Sequence, residues 1–288
     1  MRAADEISPR GGIVRAARRP PGWAAPGPPP AAGEPRAELW PAAGEDLCWL
    51  AGDWRILQRV DGHRWSLDDL VTAWLAARES AAPERILDLG CGIGTVLLFV
   101  AWRFPRARVT GIEAQDVSVE LARRSLAWNG VEDRCRVVHA DFREAPLDEK
   151  FELVTGTPPY FPGGSGLESD RVQRAPCRFE HRGGIEAYCD AAARRLAPGG
   201  LFVACEATSQ AARVDGAAAS AGLAVERRLD VIPRAGKPPL LSVFTFRAAP
   251  RATLVDPPLI VRDAHGRWTD AFRALRADMG MPPGTDSF

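Results

Sequence analysis

The sequence predicts an α/β fold, with one mostly parallel sheet of seven strands, one antiparallel edge strand, and helices on both faces. Three observations carry this. After Pro83, short apolar runs alternate repeatedly with stretches of helical length. The runs are apolar throughout, as strands covered on both faces are. The last two strand-like runs, 224–231 and 240–248, are joined only by residues 233–239, which reads as an antiparallel hairpin.

Taken in order, residues 1–45 are rich in Pro, Gly, Ala and Arg, as in Arg18-Arg19-Pro20-Pro21 and Pro26-Gly27-Pro28-Pro29-Pro30. They lack periodic hydrophobics and bury too little to offset their ordering entropy, so this extension is expected to be disordered. An organelle transit peptide fits the arginines, but Asp5, Glu6 and the dense prolines argue against it. The folded domain is expected over 46–279, with 280–288 a flexible tail. A strand-like run at 54–58 leads to Gly62-His63-Arg64-Trp65. Ser66 then starts a helix, with Asp69 as an imperfect capping box. Strands are expected at 85–89, 107–113, 135–140, 153–156 and 201–205. Helices are expected at 95–104, 117–128 (ended by Asn129-Gly130) and 184–196, and a last one at 270–279.

The bulk numbers set limits. With 288 residues, 46% of them hydrophobic, the chain can form a sizeable core. No run approaches the roughly 18 apolar residues of a membrane span, so a soluble cytoplasmic protein, most simply a monomer, is expected. Net charge is zero, so any nucleic-acid partner must be met by a local patch. The six cysteines form no C-x-x-C pair and the four histidines supply no ligand spacing. No metal site is expected, and the thiols read as reduced and mostly buried.

The strand at 85–89 runs into Asp88-Leu89-Gly90-Cys91-Gly92-Ile93-Gly94-Thr95. Glycines at 90, 92 and 94 let a ligand approach the backbone, and the following helix offers free N–H groups. Glu113 ends the next strand, where a carboxylate can accept hydrogen bonds from both ribose hydroxyls of a nucleoside cofactor. Asp141 ends the third strand, suited to an adenine amine, with Phe142 beside the ring. Each acid alone is an ordinary loop residue; three at successive strand ends beside a glycine loop make a cofactor site.

The fourth strand ends in Thr157-Pro158-Pro159-Tyr160. Two prolines stiffen this turn and leave carbonyl oxygens free to face a ligand. Acceptors such as the Thr157 side chain and the Pro158 carbonyl can hold the protons of an exocyclic amine, favouring the geometry of attack by preorganisation. Tyr160 would stack on a flipped planar base. The stretch 171–182 holds Arg171, Arg174, Arg178 and Arg182 against one acid, Glu180. It reads as phosphate contacts beside the target or as a solvated basic loop. A weaker cluster is Arg227, Arg228, Arg234 and Lys237.

With these motifs the chain resembles the bacterial valine-tRNA adenine-N6 methyltransferases, within the Asn-Pro-Pro-Tyr group of class I, Rossmann-like methyltransferases. The resemblance spans roughly residues 54–279 and includes Leu259-Ile260-Val261-Arg262 and a helix beginning near Trp268. It implies an S-adenosyl-L-methionine cofactor held by Asp88, Gly90, Glu113 and Asp141, to which the loop and strand-end reading adds Gly92, Gly94 and Phe142. It also implies a target adenosine in tRNA or another RNA, held by Pro158, Pro159 and Tyr160. The family usually has Asn where this chain has Thr157, which keeps an oxygen acceptor but loses the amide. Two other readings therefore stay open: another acceptor, such as a protein glutamine or a small molecule, and a cofactor-binding RNA-binding protein with weakened catalysis.

Overall fold

The proline-rich opening of the chain is fixed by groups that lie beyond it. The computed structural model describes residues 4–30, 35–160, 183–248 and 252–284. In it β1 (Glu6–Ile7) pairs antiparallel with β2 (Ile13–Val14), β2 parallel with β3 (Glu45–Trp49), and β3 antiparallel with β4 (Arg55–Arg59). The disorder expected for 1–45 is thus corrected over 4–30 and 35–45. Composition points to disorder because the segment has little apolar surface of its own, but Trp49 and Trp54 supply it. The Trp49 indole N–H donates to the Arg15 carbonyl and that of Trp54 to the Pro28 carbonyl, each at 3.0 Å. The Arg19 guanidinium lies 4.0 Å from the Trp49 ring centre, a cation–π contact. Arg15 Nε donates to the fully buried Asp46 at 2.8 Å.

The chain continues through α1 (Leu67–Glu79), β5 (Arg85–Leu89), α2 (Thr95–Arg103), β6 (Arg108–Glu113), α3 (Asp116–Asn129), β7 (Cys135–His139) and β8 (Phe151–Gly156). It then forms α4 (Ile185–Arg195), β9 (Leu196–Ala207), α5 (Ala211–Ser220), β10 (Ala224–Ile232), β11 (Leu241–Arg247), β12 (Leu254–Val255), β13 (Leu259–Ile260) and α6 (Asp270–Asp278). The long strands lie in the order β10-β11-β9-β8-β5-β6-β7, and short β12 and β13 both pair parallel with β10. The antiparallel strand is β11, and it pairs with β9 as well as β10. It is therefore interior, not the edge that the sequence suggested. The hairpin itself was legible, but β9 takes the outer side of β11, and nothing local to 224–248 encodes that choice.

Side-chain alternation sorts the core into two layers. Leu201, Val203, Cys205, Leu241 and Val243 pack with α1, α2, α3 and α6. Phe202, Ala204, Phe244 and Phe246 pack with α4 and α5 on the other face. The N-terminal sheet docks on α3, whose side chains satisfy the edge of β4. Ser125 Oγ accepts the Leu57 N–H at 2.9 Å, and Asn129 Oδ1 accepts the Arg55 N–H at 2.9 Å. An edge capped in this way cannot pair with another chain.

The far end of the chain returns to this junction. The Gly52 N–H donates to the Gly280 carbonyl at 2.7 Å. Gly27 and Gly280 lie against the Trp102 indole so closely that a Cβ on either would overlap the ring. Gly280 and Met281 are buried, and the Gly284 carbonyl accepts from Arg273. The tail expected to be flexible is packed as far as Gly284, held by backbone bonds that composition does not report. Among the described residues no helix is long and apolar enough to cross a membrane.

Candidate active site

Strand order reverses between β5 and β8, and open α/β sheets bind ligands outside the carboxyl ends of strands at such a point. A cavity of about 660 Å³ lies there, within the range of small-molecule sites. Its wall brings together Gly90, Gly92, Glu113, Asp141 and Phe142 from the expected cofactor set with all of Thr157, Pro158, Pro159 and Tyr160. Two members of the expected set, Asp88 and Gly94, do not line it.

Asp88 instead holds the loop from beneath. Its carboxyl is 2% exposed and accepts from the Thr155 hydroxyl at 2.8 Å and from the Leu97 N–H at 3.1 Å. Burial pushes its pKa up to about 7, against those two stabilising bonds. Gly90 turns the chain with φ of +58°, and the Tyr188 hydroxyl packs where a side chain would stand. Glu113 reaches back across the loop: one carboxylate oxygen accepts from the Gly92 N–H at 3.0 Å, the other from the Gln115 N–H at 2.7 Å. Loop and acid are thus preorganised together. Asp141 is gripped by Arg143, which donates from Nε at 2.9 Å and Nη2 at 2.6 Å. Phe142 is buried, its ring centre 4.5 Å from that of Tyr188.

Tyr160 is anchored at both ends. Its hydroxyl donates to Asp68 Oδ2 at 2.9 Å and lies 3.1 Å from Cys205 Sγ, while its carbonyl accepts from Gln210 Nε2 at 2.7 Å. Burial first, then the neighbouring Cys205 and Asp68, hold the phenol well above its usual pKa, so it stays a neutral donor. Asp68 opens α1 beside Ser66 and Asp69. The Ser66 N–H donates to Asp69 Oδ2 at 3.0 Å, closing the capping box that the sequence suggested. Burial, then the adjacent Asp68, raise the Asp69 pKa well above the usual range.

Sequence reasoning missed Trp65, Asp68, Asp69 and Tyr188 as wall residues. Asp68 and Asp69 read as ordinary first-turn acids and Tyr188 as an apolar helix residue, and only packing brings them to the cavity. Arg171, Arg174, Arg178 and Arg182 lie outside the described residues. In the weaker cluster, Arg227 pairs with Asp256 and Glu79, and Arg228 with Asp230. Arg234 and Lys237 of that cluster form no ion pair among the described residues. Five of the six cysteines fall among the described residues; all five are free and four are buried.

The residues present fit a nucleoside cofactor. Nothing lies within 4 Å of the position a Cβ on Gly92 would take, so the loop backbone is open to the cavity. Loop amides, the Glu113 carboxylate, Asp141 and the Phe142 ring supply donors, acceptors and an apolar face.

The sequence profile described as "Methyltransferase small domain" matches residues 66–206. A protein of Porphyromonas gingivalis W83 named tRNA1(Val) (adenine(37)-N6)-methyltransferase is 34% identical over 139 residues, which are 46% of this chain and 53% of that protein. The chain thus spans about half the length of the first curated relatives that it matches. A protein of the same name from Bacteroides thetaiotaomicron is 32% identical over 180 residues, 62% of this chain and 74% of that protein. Among solved structures, that of a predicted O-methyltransferase from Agrobacterium tumefaciens is similar with a TM-score of 0.57 at 26% identity, over 75% of this chain and 98% of that one.

Proposed function

Because the chain belongs to the tRNA1(Val) (adenine(37)-N6)-methyltransferase family, we propose that it is an S-adenosylmethionine-dependent enzyme that methylates the N6 amine of an adenosine in tRNA. The observation that carries this reading is the shared cavity: the glycine loop with Glu113 and the turn Thr157–Tyr160 form walls of one space. Methyl transfer requires donor and acceptor in contact, and one cavity with two differently built walls supplies that proximity.

The cofactor, when bound, supplies an electrophilic methyl group. The chain's residues do the rest. Loop amides at 90–92 and the Glu113 carboxylate bind the nucleoside, with Asp141 and Phe142 at the base end. Asp88 holds the loop without touching the ligand. The Thr157 hydroxyl and Pro158 carbonyl accept hydrogen bonds from the target amine and orient its lone pair. The Tyr160 ring, fixed through Asp68, stacks on the base. Thr157 retains an oxygen acceptor at the position usually filled by Asn, so turnover is expected to be slower, not absent.

The test is transfer of label from methyl-labelled cofactor to total tRNA, followed by nucleoside analysis. The expected product is N6-methyladenosine. Binding of cofactor by calorimetry with no label in any RNA fraction would leave the cofactor site standing and remove the RNA substrate. Label in protein would redirect the reading to a side-chain amide.

A further inference from the structure

A second cavity, of about 490 Å³, adjoins the first, and the two share Arg64 and Trp65 as a common wall. Its lining comes from the chain's two ends: Arg15, Arg18 and Arg19 from the opening segment, and Arg276 with residues 280–282 from the close. All of its lining residues lie outside residues 66–206, the part matched by the family profile.

The charge balance is one-sided. Five guanidinium groups line the cavity, and the carboxylates that meet them are Asp5, Asp46 and Asp53. Buried Asp46 is shared by Arg15 and Arg64, and Asp53 holds Arg19 at 2.6 Å. Arg18 and Arg276 have no carboxylate partner among the described residues. Arg276 Nε is buried with no hydrogen-bond partner. Indole surface lies beside this charge at Trp65, whereas the Trp49 ring is already covered by Arg19 and Arg55, each guanidinium 4.0 Å from its centre. Guanidinium groups meet phosphate oxygens in a fork, and indoles stack on bases. A small free anion would use the charge but neither the Trp65 indole nor the shared wall. A strand whose target base enters the first cavity uses all three.

Building on the reading of the chain as an RNA methyltransferase, we propose that this second cavity is an RNA-strand subsite, which takes the phosphates and a base of nucleotides adjacent to the target. The opening segment is then part of the substrate-binding surface and not an inert extension.

Arg18→Glu is the first variant, because Arg18 is exposed and its loss leaves no buried carboxylate unmatched. The KM for tRNA is expected to rise about tenfold and the salt dependence of RNA binding to become shallower by about one counterion. The cofactor Kd, measured by calorimetry, is expected to stay the same. Arg276→Gln, with its melting temperature checked, is expected to act in the same direction. With thiouridine-substituted tRNA, photo-crosslinks are expected on the peptide containing Trp65. If wild-type protein methylates tRNA while both variants keep its KM and salt slope, the subsite is wrong and the enzyme reading stands. If the protein binds cofactor but no RNA, both fall.

Discussion

Tyr160 shows how little freedom a side chain of the cavity wall keeps here. Its hydroxyl is tied to Asp68 and its carbonyl to Gln210, so the ring cannot turn away from the cavity. Tyr160→Ala should lower kcat/KM on tRNA by roughly tenfold to a hundredfold, the worth of one base–aromatic stack. Tyr160→Phe, which keeps the ring and loses the hydroxyl's ties to Asp68 and Cys205, should lose less; equal losses would show that the hydroxyl and not the face matters. Thr157→Val removes the oxygen acceptor at nearly constant volume and is expected to cut kcat about a hundredfold, while Thr157→Asn should raise it. Asp88 gives a pH signature. In the unfolded chain it ionises near 3.8, whereas in the fold it keeps its proton up to about 7. The folded state therefore binds more protons between those values. The stability tied to protonated Asp88 is fully present below the lower one and is lost as pH rises through about 7. Melting temperature should fall from about pH 4 to about pH 7, with Asp69 adding in the same sense, and Asp88→Asn should flatten that fall. An unflattened curve would place the titration elsewhere.

At the scale of elements, the glycine loop is set by the helix beneath it. Gly90→Ala meets both an unfavourable φ and the Tyr188 hydroxyl, and should weaken cofactor binding and lower the melting temperature. Adding Tyr188→Phe removes the atom in the way and should restore part of both. No rescue would mean that the backbone angle alone is responsible. This pair also marks where the sequence stopped being readable. The strands showed through because their apolar runs are continuous, and the site acids because they stand at strand ends: Glu113, Asp141 and the turn after Gly156 were found by position alone. Tyr188 and Asp68 were not, because each sits in a helix where its type is ordinary and only tertiary packing aims it at the cavity. That Asp88 lies beneath the loop and does not line the cavity is hidden for a related reason, since a strand-end acid looks the same whether it faces a ligand or props the turn. The interior position of β11 was hidden too, because hairpin signals say which strands pair but not what covers the other side.

For the whole molecule, the opening segment is the main departure from expectation. Asp46 has no exposure, and two arginines from separate stretches neutralise it, Arg15 from the segment and Arg64 from the cavity wall. Removing residues 1–20 should cost about 1–3 kcal/mol in urea unfolding, as Asp46 and the Trp49 indole lose partners. An unchanged midpoint would show that the segment contributes nothing to stability. The Trp102 slot has a consequence in time. Its walls are Gly27, the Gly52 turn and Gly280, and the entire large sheet is synthesised between the second and the third. No local contact can close such a slot early, and long-range closures are slow. The opening segment can meet β3, Trp49 and Trp54 as soon as they are made, but the contacts of Gly27 and Gly280 with Trp102 must wait for the sheet, so the slot is expected to close late in folding.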